Sequence, residues 1–135
     1  MSHQADFIHV ICTDPRIQKL YHDYLEKNNL FGKYDTIQFE NPILAFLNPS
    51  TQAAMLERIG NYIKLHNPKK VVLIDHTDCG AYKLNGYNFT DQKEELNQHD
   101  INNSNVKMII EGHFPELKVE IKTIMIDKNG NCSWW

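Results

Sequence analysis

The sequence predicts an α/β fold: a mainly parallel, twisted sheet of four to five strands with flanking helices, its last strand antiparallel. Three observations carry this. Short apolar, β-branched runs alternate along the chain with segments whose apolar residues recur at helical spacing. Strand, helix, strand, helix, strand is the order of a parallel sheet built with right-handed crossovers. Near the end, Asn129-Gly130 is a hairpin signal that turns the final segment back on its neighbour.

Taken in order, Phe7 to Ile11 reads as a buried strand. Asp14 then suits a helix N-cap with Pro15 at the first helical position, and Ile17, Leu20, Tyr21, Tyr24 and Leu25 form the inward stripe. Asn28-Asn29 and Gly32 stop that helix, and Tyr34 to Phe39 is the second strand, ended by Asn41-Pro42. After Pro49-Ser50 a second helix turns Ala54, Leu56, Ile59, Tyr62, Ile63 and Leu65 mostly inward and ends at Pro68. Val71 to Ile74 is the third strand. The polar stretch from Tyr82 to Asn105 reads as a loop followed by a helix over Lys93 to Gln98, with a further helix from Val106 to Phe114 ended by Pro115. Lys118 to Ile126 alternates charged and apolar residues, as a strand with one wetter face does, and Cys132 to Trp135 makes the antiparallel edge.

The 135 residues show no internal repeat and no interdomain linker, so one domain over 1–135 is expected. A net charge of −3 and a pI near 6.1 give no electrostatic footing for a nucleic-acid partner. Uninterrupted apolar runs such as Val71 to Ile74 are far too short for a membrane span. Without a signal peptide the expected compartment is the cytoplasm, where cysteines serve metals or reactivity more often than disulfides. Cys132 reads as an ordinary surface or edge thiol.

Two blocks carry the chemistry: Cys12-Thr13-Asp14-Pro15-Arg16 and His76-Thr77-Asp78-Cys79-Gly80. Each alone has a plain explanation. Asp14 is a helix cap, Cys12 a small buried residue, and Thr77-Asp78 and Gly80 are turn formers. Together they supply two thiolates and one imidazole, the donor count of a catalytic zinc site that keeps its fourth position open. Both blocks follow strands, and the carboxyl ends of strands one and three are neighbours at the switch point of such a sheet, where α/β proteins place their chemistry.

The pairing of Cys12-x-Asp14-x-Arg16 with His76-x-x-Cys79-Gly80 resembles the zinc site of the β-class carbonic anhydrases. Val71 to Ile74 before the second block, and Val119 to Ile126 followed by Asp127 and Gly130, resemble that family's third strand and its final strand and hairpin. The resemblance implies zinc held by Cys12, His76 and Cys79, and hydration of carbon dioxide to bicarbonate by a metal-bound hydroxide. Asp14 and Arg16 would be the catalytic residues, with Asp14 accepting the hydroxide's proton and Arg16 holding Asp14 ionised. The family can also shut its site by letting the aspartate take the fourth zinc position.

Three departures set further expectations. Gln38 to Ile43 has no glycine where the family usually has an Arg-Asn-Ala-Gly-Asn-like segment, so a side chain or altered backbone is expected to narrow or block the pocket. Asp75 stands where the family commonly has glycine before its histidine, and no helical arm precedes strand one. The competing readings are a non-catalytic zinc-binding protein, a hydrolase of a related small molecule such as carbon disulfide, and a metal-free binding domain. Consecutive Trp134 and Trp135 on an edge strand point to opposite faces, so one is left for a partner and a homodimer is expected.

Overall fold

The structure, a computed structural model, describes residues 3–135. Its elements are β1 (Phe7–Cys12), a 3-10 turn (Pro15–Ile17), α1 (Gln18–Lys27), β2 (Tyr34–Phe39), α2 (Pro42–Leu47) and α3 (Gln52–His66), then β3 (Lys70–His76), α4 (Gly80–Leu84), α5 (Gln92–His113), β4 (Lys118–Ile126) and β5 (Cys132–Trp134). The five strands form one sheet in the order β2-β1-β3-β4-β5. The first four run parallel and β5 lies antiparallel to β4. The mainly parallel α/β sheet expected from the sequence is therefore present, and strands one and three are direct neighbours.

Alternate residues of β3 feed two cores. Val71 and Leu73 pack with Ile43 and Phe46 of α2, Met55 and Ile59 of α3, and Val106 and Ile110 of α5. Val72 and Ile74 face the other way, toward Ile17, Tyr21 and Leu25 around α1 and toward Ala81 and Tyr82 of α4. Helices thus cover both faces, which is why β1 and β3 carry long buried runs where a half-exposed strand would alternate. No helix among the described residues is long and apolar enough to cross a membrane.

The structure corrects the sequence reading in four places. Pro42–Leu47 is a helix, where the sequence signalled only a strand end; five successive buried residues give it no helical stripe to recognise. Gly80–Leu84 is likewise a short helix where a turn and loop were expected. The two helices expected over Lys93 to Gln98 and Val106 to Phe114 are one helix, α5, capped by Asp91 accepting from the Glu94 N–H. On α3, Ala54 and Leu65 are exposed, and Met55, Leu56 and Ile59 are the buried residues. The hairpin expected at Asn129-Gly130 is present: it closes through five residues, 127–131, with Asp127 Oδ1 accepting the N–H groups of Asn129 and Asn131 and Gly130 taking a positive φ, +84°.

His9, on the α1 side of β1, is fully buried. Its Nδ1 lies 2.9 Å from the Tyr21 hydroxyl and its ring stacks on Tyr34 at 4.7 Å. Burial pushes its pKa down to about 4. An unfolded histidine takes a proton below about 6.5. The folded chain refuses that proton until about pH 4. This contribution to stability is therefore whole above pH 6.5 and is lost as the pH falls. Between pH 7 and pH 5 the loss amounts to about 2 kcal/mol. Urea unfolding at the two pH values should show this drop, reduced by that amount in His9→Phe; an unchanged drop in the variant would refute the assignment.

Candidate metal centre

β1 ends at Cys12 and β3 ends at His76, and their parallel register (Ile11 beside Ile74) sets both residues at the same edge of the sheet. Asp78 then turns the chain through the left-handed region (φ 52°), and Cys79 follows as the N-cap residue of α4. One ligand atom from each of Cys12, His76 and Cys79 lies within 4.8 Å of the other two. All three residues are buried, at 5%, 0% and 4% exposure. The histidine is already oriented. Its Nδ1–H donates to the Thr77 carbonyl at 2.7 Å, which leaves the Nε2 lone pair free. That Nε2 is buried without a hydrogen-bond partner. An orphaned imidazole nitrogen beside two sulfurs is the donor set a metal would satisfy.

The two thiols titrate as a pair. A hydrogen bond from Cys79, helped by His76 and the Asn41 N–H, draws Cys12 well below an ordinary thiol against the pull of burial. Cys79 is pushed up by the Cys12 sulfur beside it and by burial. Burial opposes charge on His76, but the Cys12 sulfur raises its pKa.

Asn41 is a contributor the sequence reading missed. Its backbone N–H reaches Cys12 Sγ at 3.4 Å and its Nδ2 reaches Cys79 Sγ at 3.3 Å. Its Oδ1 accepts the Leu44 N–H at 3.1 Å, capping α2. The residue sits at φ 33° and is 2% exposed. Far from projecting into open space, the side chain where glycine was missed is folded onto the sulfurs and the helix end. Asn before Pro and an apolar run is an N-cap signature, the one signal that could have pointed to it.

Arg16 joins the two blocks. Its Nε and Nη2 donate to the Asp14 carboxylate at 3.1 and 2.7 Å, and its Nη1 and Nη2 donate to Asp78 Oδ2 and the Asp78 carbonyl, both at 2.9 Å. The guanidinium holds both carboxylates below their usual range. Asp14 Oδ2 lies 4.0 Å from His76 Nε2. Asp14 also caps the first turn by accepting the Arg16 N–H at 2.9 Å, so the cap and the site share one residue. Asp78, read from sequence as a turn former, thus also joins the hydrogen-bond network around the candidate site. Cys132 donates to the Arg16 carbonyl at 3.2 Å and stands outside the trio. A cavity of about 200 Å³ opens beside Cys79, lined by Tyr82, Lys83, Tyr87 and Phe89 among others.

Asn41→Ala should lower the stability of the metal-free protein by about 2 kcal/mol, through a lost cap and a strained left-handed backbone. Asn41→Gly should recover the backbone share of that loss. Chemical denaturation of the two variants checks this, and equal losses in both would assign the whole effect to the side chain.

A protein-family model described as "Putative carbonic anhydrase" matches residues 2–125. An uncharacterized protein of Rickettsia conorii is 29% identical over 121 residues, covering 86% of this chain and 65% of the relative. An uncharacterized protein of Rickettsia bellii is 25% identical over 121 residues, covering 86% of this chain and 74% of its own. The chain thus spans only 65% of the length of the Rickettsia conorii protein. Among solved structures, a tetrameric β-carbonic anhydrase of Sordaria macrospora superposes with a TM-score of 0.56 at 15% identity, over 98% of this chain and 81% of that one. That likeness establishes the shared fold.

Proposed function

The chain belongs to the putative carbonic anhydrase family, as a divergent member with the β-class fold, and from that premise we propose that it hydrates carbon dioxide to bicarbonate with a zinc ion held by Cys12, His76 and Cys79. The observation that carries the reading is the convergence of two sulfurs on a buried, partnerless His76 Nε2. Two thiolates and a neutral imidazole suit zinc, and three protein ligands leave a position for water. Zinc bound there supplies a Lewis acid that makes a water molecule acidic enough to become a nucleophile near neutral pH.

The chain's own groups do the rest. Two thiolates are electron-rich ligands, and the Asn41 N–H groups draw charge from both sulfurs, which favours a more acidic water. Arg16 keeps Asp14 ionised and turned by a two-point grip. Asp14 Oδ2 lies 4.0 Å from His76 Nε2, so with zinc held by the trio its carboxylate would be placed to accept a hydrogen from the attacking water and to orient it toward the substrate. Arg16 acts through Asp14, and its second grip on Asp78 restrains Asp14 from swinging free. The protein is proposed to work in the cytoplasm as a homodimer. Trp135 supports self-association, being 71% exposed, while Trp134 leans on Tyr24 at 5.3 Å.

Purified protein should carry about one zinc per chain, and Cys79→Ser should lose most of it. Metal analysis with full zinc retained in Cys79→Ser would remove Cys79 from the site. Stopped-flow hydration of carbon dioxide tests the activity. A zinc-loaded protein that leaves hydration at the solvent rate would be a non-catalytic zinc protein. Arg16→Ala should lower hydration by about 10- to 100-fold with zinc still bound. Sedimentation equilibrium at micromolar concentration should give twice the 15.8 kDa chain mass, and a single-chain mass rules out the dimer.

A further inference from the structure

Beneath the metal centre, helix α5 presents Glu95, His99 and Asn103 at successive four-residue steps, one stripe of the helix. All three close on the segment from Asp75 to Asp78, which carries His76 and stops one residue short of Cys79. His99 Nδ1 donates to Asp75 Oδ2 at 2.6 Å, and Asn103 Nδ2 donates to the same oxygen at 2.9 Å. Asp75 Oδ1 accepts the backbone N–H of His76 at 2.9 Å. At the other end of the segment, Glu95 Oε1 accepts the backbone N–H of Asp78 at 2.5 Å. His99 Nε2 lies 3.6 Å from that same Glu95 oxygen. Hydrogen bonds run from the His76 backbone through Asp75 to His99 and from the Asp78 backbone to Glu95, and the two arms meet where His99 faces Glu95 across an ion pair at 3.6 Å, too long for a hydrogen bond.

This network is costly to build. Asp75 and His99 are each 1% exposed, on the face of β3 whose other residues, Val71 and Leu73, are apolar. Burial pulls the His99 pKa down, but its bond to Asp75 and the nearby Glu95 prevail and hold it at about 9, so the imidazole is a cation. A buried ion pair gains little stability over apolar packing of the same volume. What it does supply is direction. Of the two backbone N–H groups it grips, one belongs to a proposed metal ligand. The other belongs to the left-handed residue that aims the next ligand and receives Arg16.

We propose that Glu95, His99 and Asn103 are positioning residues that clamp the His76–Asp78 segment to α5 and thereby set His76 and Cys79 in place for the metal. The proposal rests on the reading of Cys12, His76 and Cys79 as a metal centre. Outer partners of metal ligands are commonly worth 10- to 100-fold in affinity. Here the partners act through backbone N–H groups and lie on a helix that contributes no ligand.

Glu95 is the residue to test, because its substitution leaves the buried Asp75–His99 pair in place. Full-length Glu95→Ala and Glu95→Gln are compared with the unaltered chain in three measurements: zinc affinity by chelator competition, the visible spectrum of the cobalt-loaded protein, and urea unfolding of the metal-free protein. Glu95→Ala should bind zinc about tenfold more weakly or worse and shift the cobalt bands. Glu95→Gln keeps an oxygen that can accept the Asp78 N–H, and should recover affinity and spectrum. Wild-type affinity and spectrum in Glu95→Ala overturn the clamp while leaving the metal centre standing. A loss that Glu95→Gln fails to rescue, or one that only follows the unfolding midpoint, overturns it as well. Failure of the unaltered chain to take up zinc or cobalt overturns the metal centre and the clamp together.

Discussion

The parallel pairing of β1 with β3 is the constraint on which the site depends. Cys12 and His76 are remote in sequence, and nothing local could bring them together. Adjacent parallel strands end at the same edge of the sheet, so Cys12 and His76, one position apart in the register, arrive there together. Burial on both faces fixes that register, because a slip of one residue would exchange the Val71–Leu73 and Val72–Ile74 faces between two different cores. The sheet thus settles the position of two of the three candidate ligands. The third follows from the left-handed turn at Asp78 that starts α4.

Gathering two sulfurs in a buried place creates an electrostatic difficulty, and the fold answers it with N–H groups and a guanidinium. Asn41 offers an N–H to each sulfur. Arg16 neutralises the carboxylates nearest the trio, Asp14 and Asp78. The next carboxylate inward, Asp75, is met by the charged His99. Negative charge is placed close to the centre at each step and matched at hydrogen-bond range. Low-dielectric surroundings make such pairing necessary and also make it strong.

How much of this is legible from the sequence depends on the range of the interaction. The ligand blocks are readable because each follows a β-branched run, so strand order converts two weak motifs into one site. Asp14 is readable twice, as a cap and as a carboxylate beside the site, and the structure has it serve both purposes. α2 is hidden because Pro42–Phe46 is apolar on every side and leaves no helical stripe to recognise. α5 is hidden for the opposite reason. Its inward residues include His99, Asn102 and Asn103, so the apolar period breaks where the helix is most buried. Asp75 is conspicuous in the sequence as a carboxylate where glycine is common. Its partners lie 24 and 28 residues away, beyond any local pattern.

The same connections bear on what a metal at the candidate centre would do to the fold. Small zinc modules lack a core of their own and fold only around the ion. Here the strands are set by two apolar cores, the blocks are tied together by Arg16, and the sulfurs are held by Asn41. The residues facing the centre are therefore in place through contacts that involve no metal. A metal taken up there would cost such a site little conformational freedom, so more of the ligand interaction would appear as affinity. Its one unanswered polar atom is His76 Nε2, buried and without a partner. A preformed pocket with a single orphaned lone pair beside two sulfurs favours a compact, borderline-soft cation over any hydrogen-bond donor, because a donor would satisfy the nitrogen and leave the sulfurs' charge largely unmet.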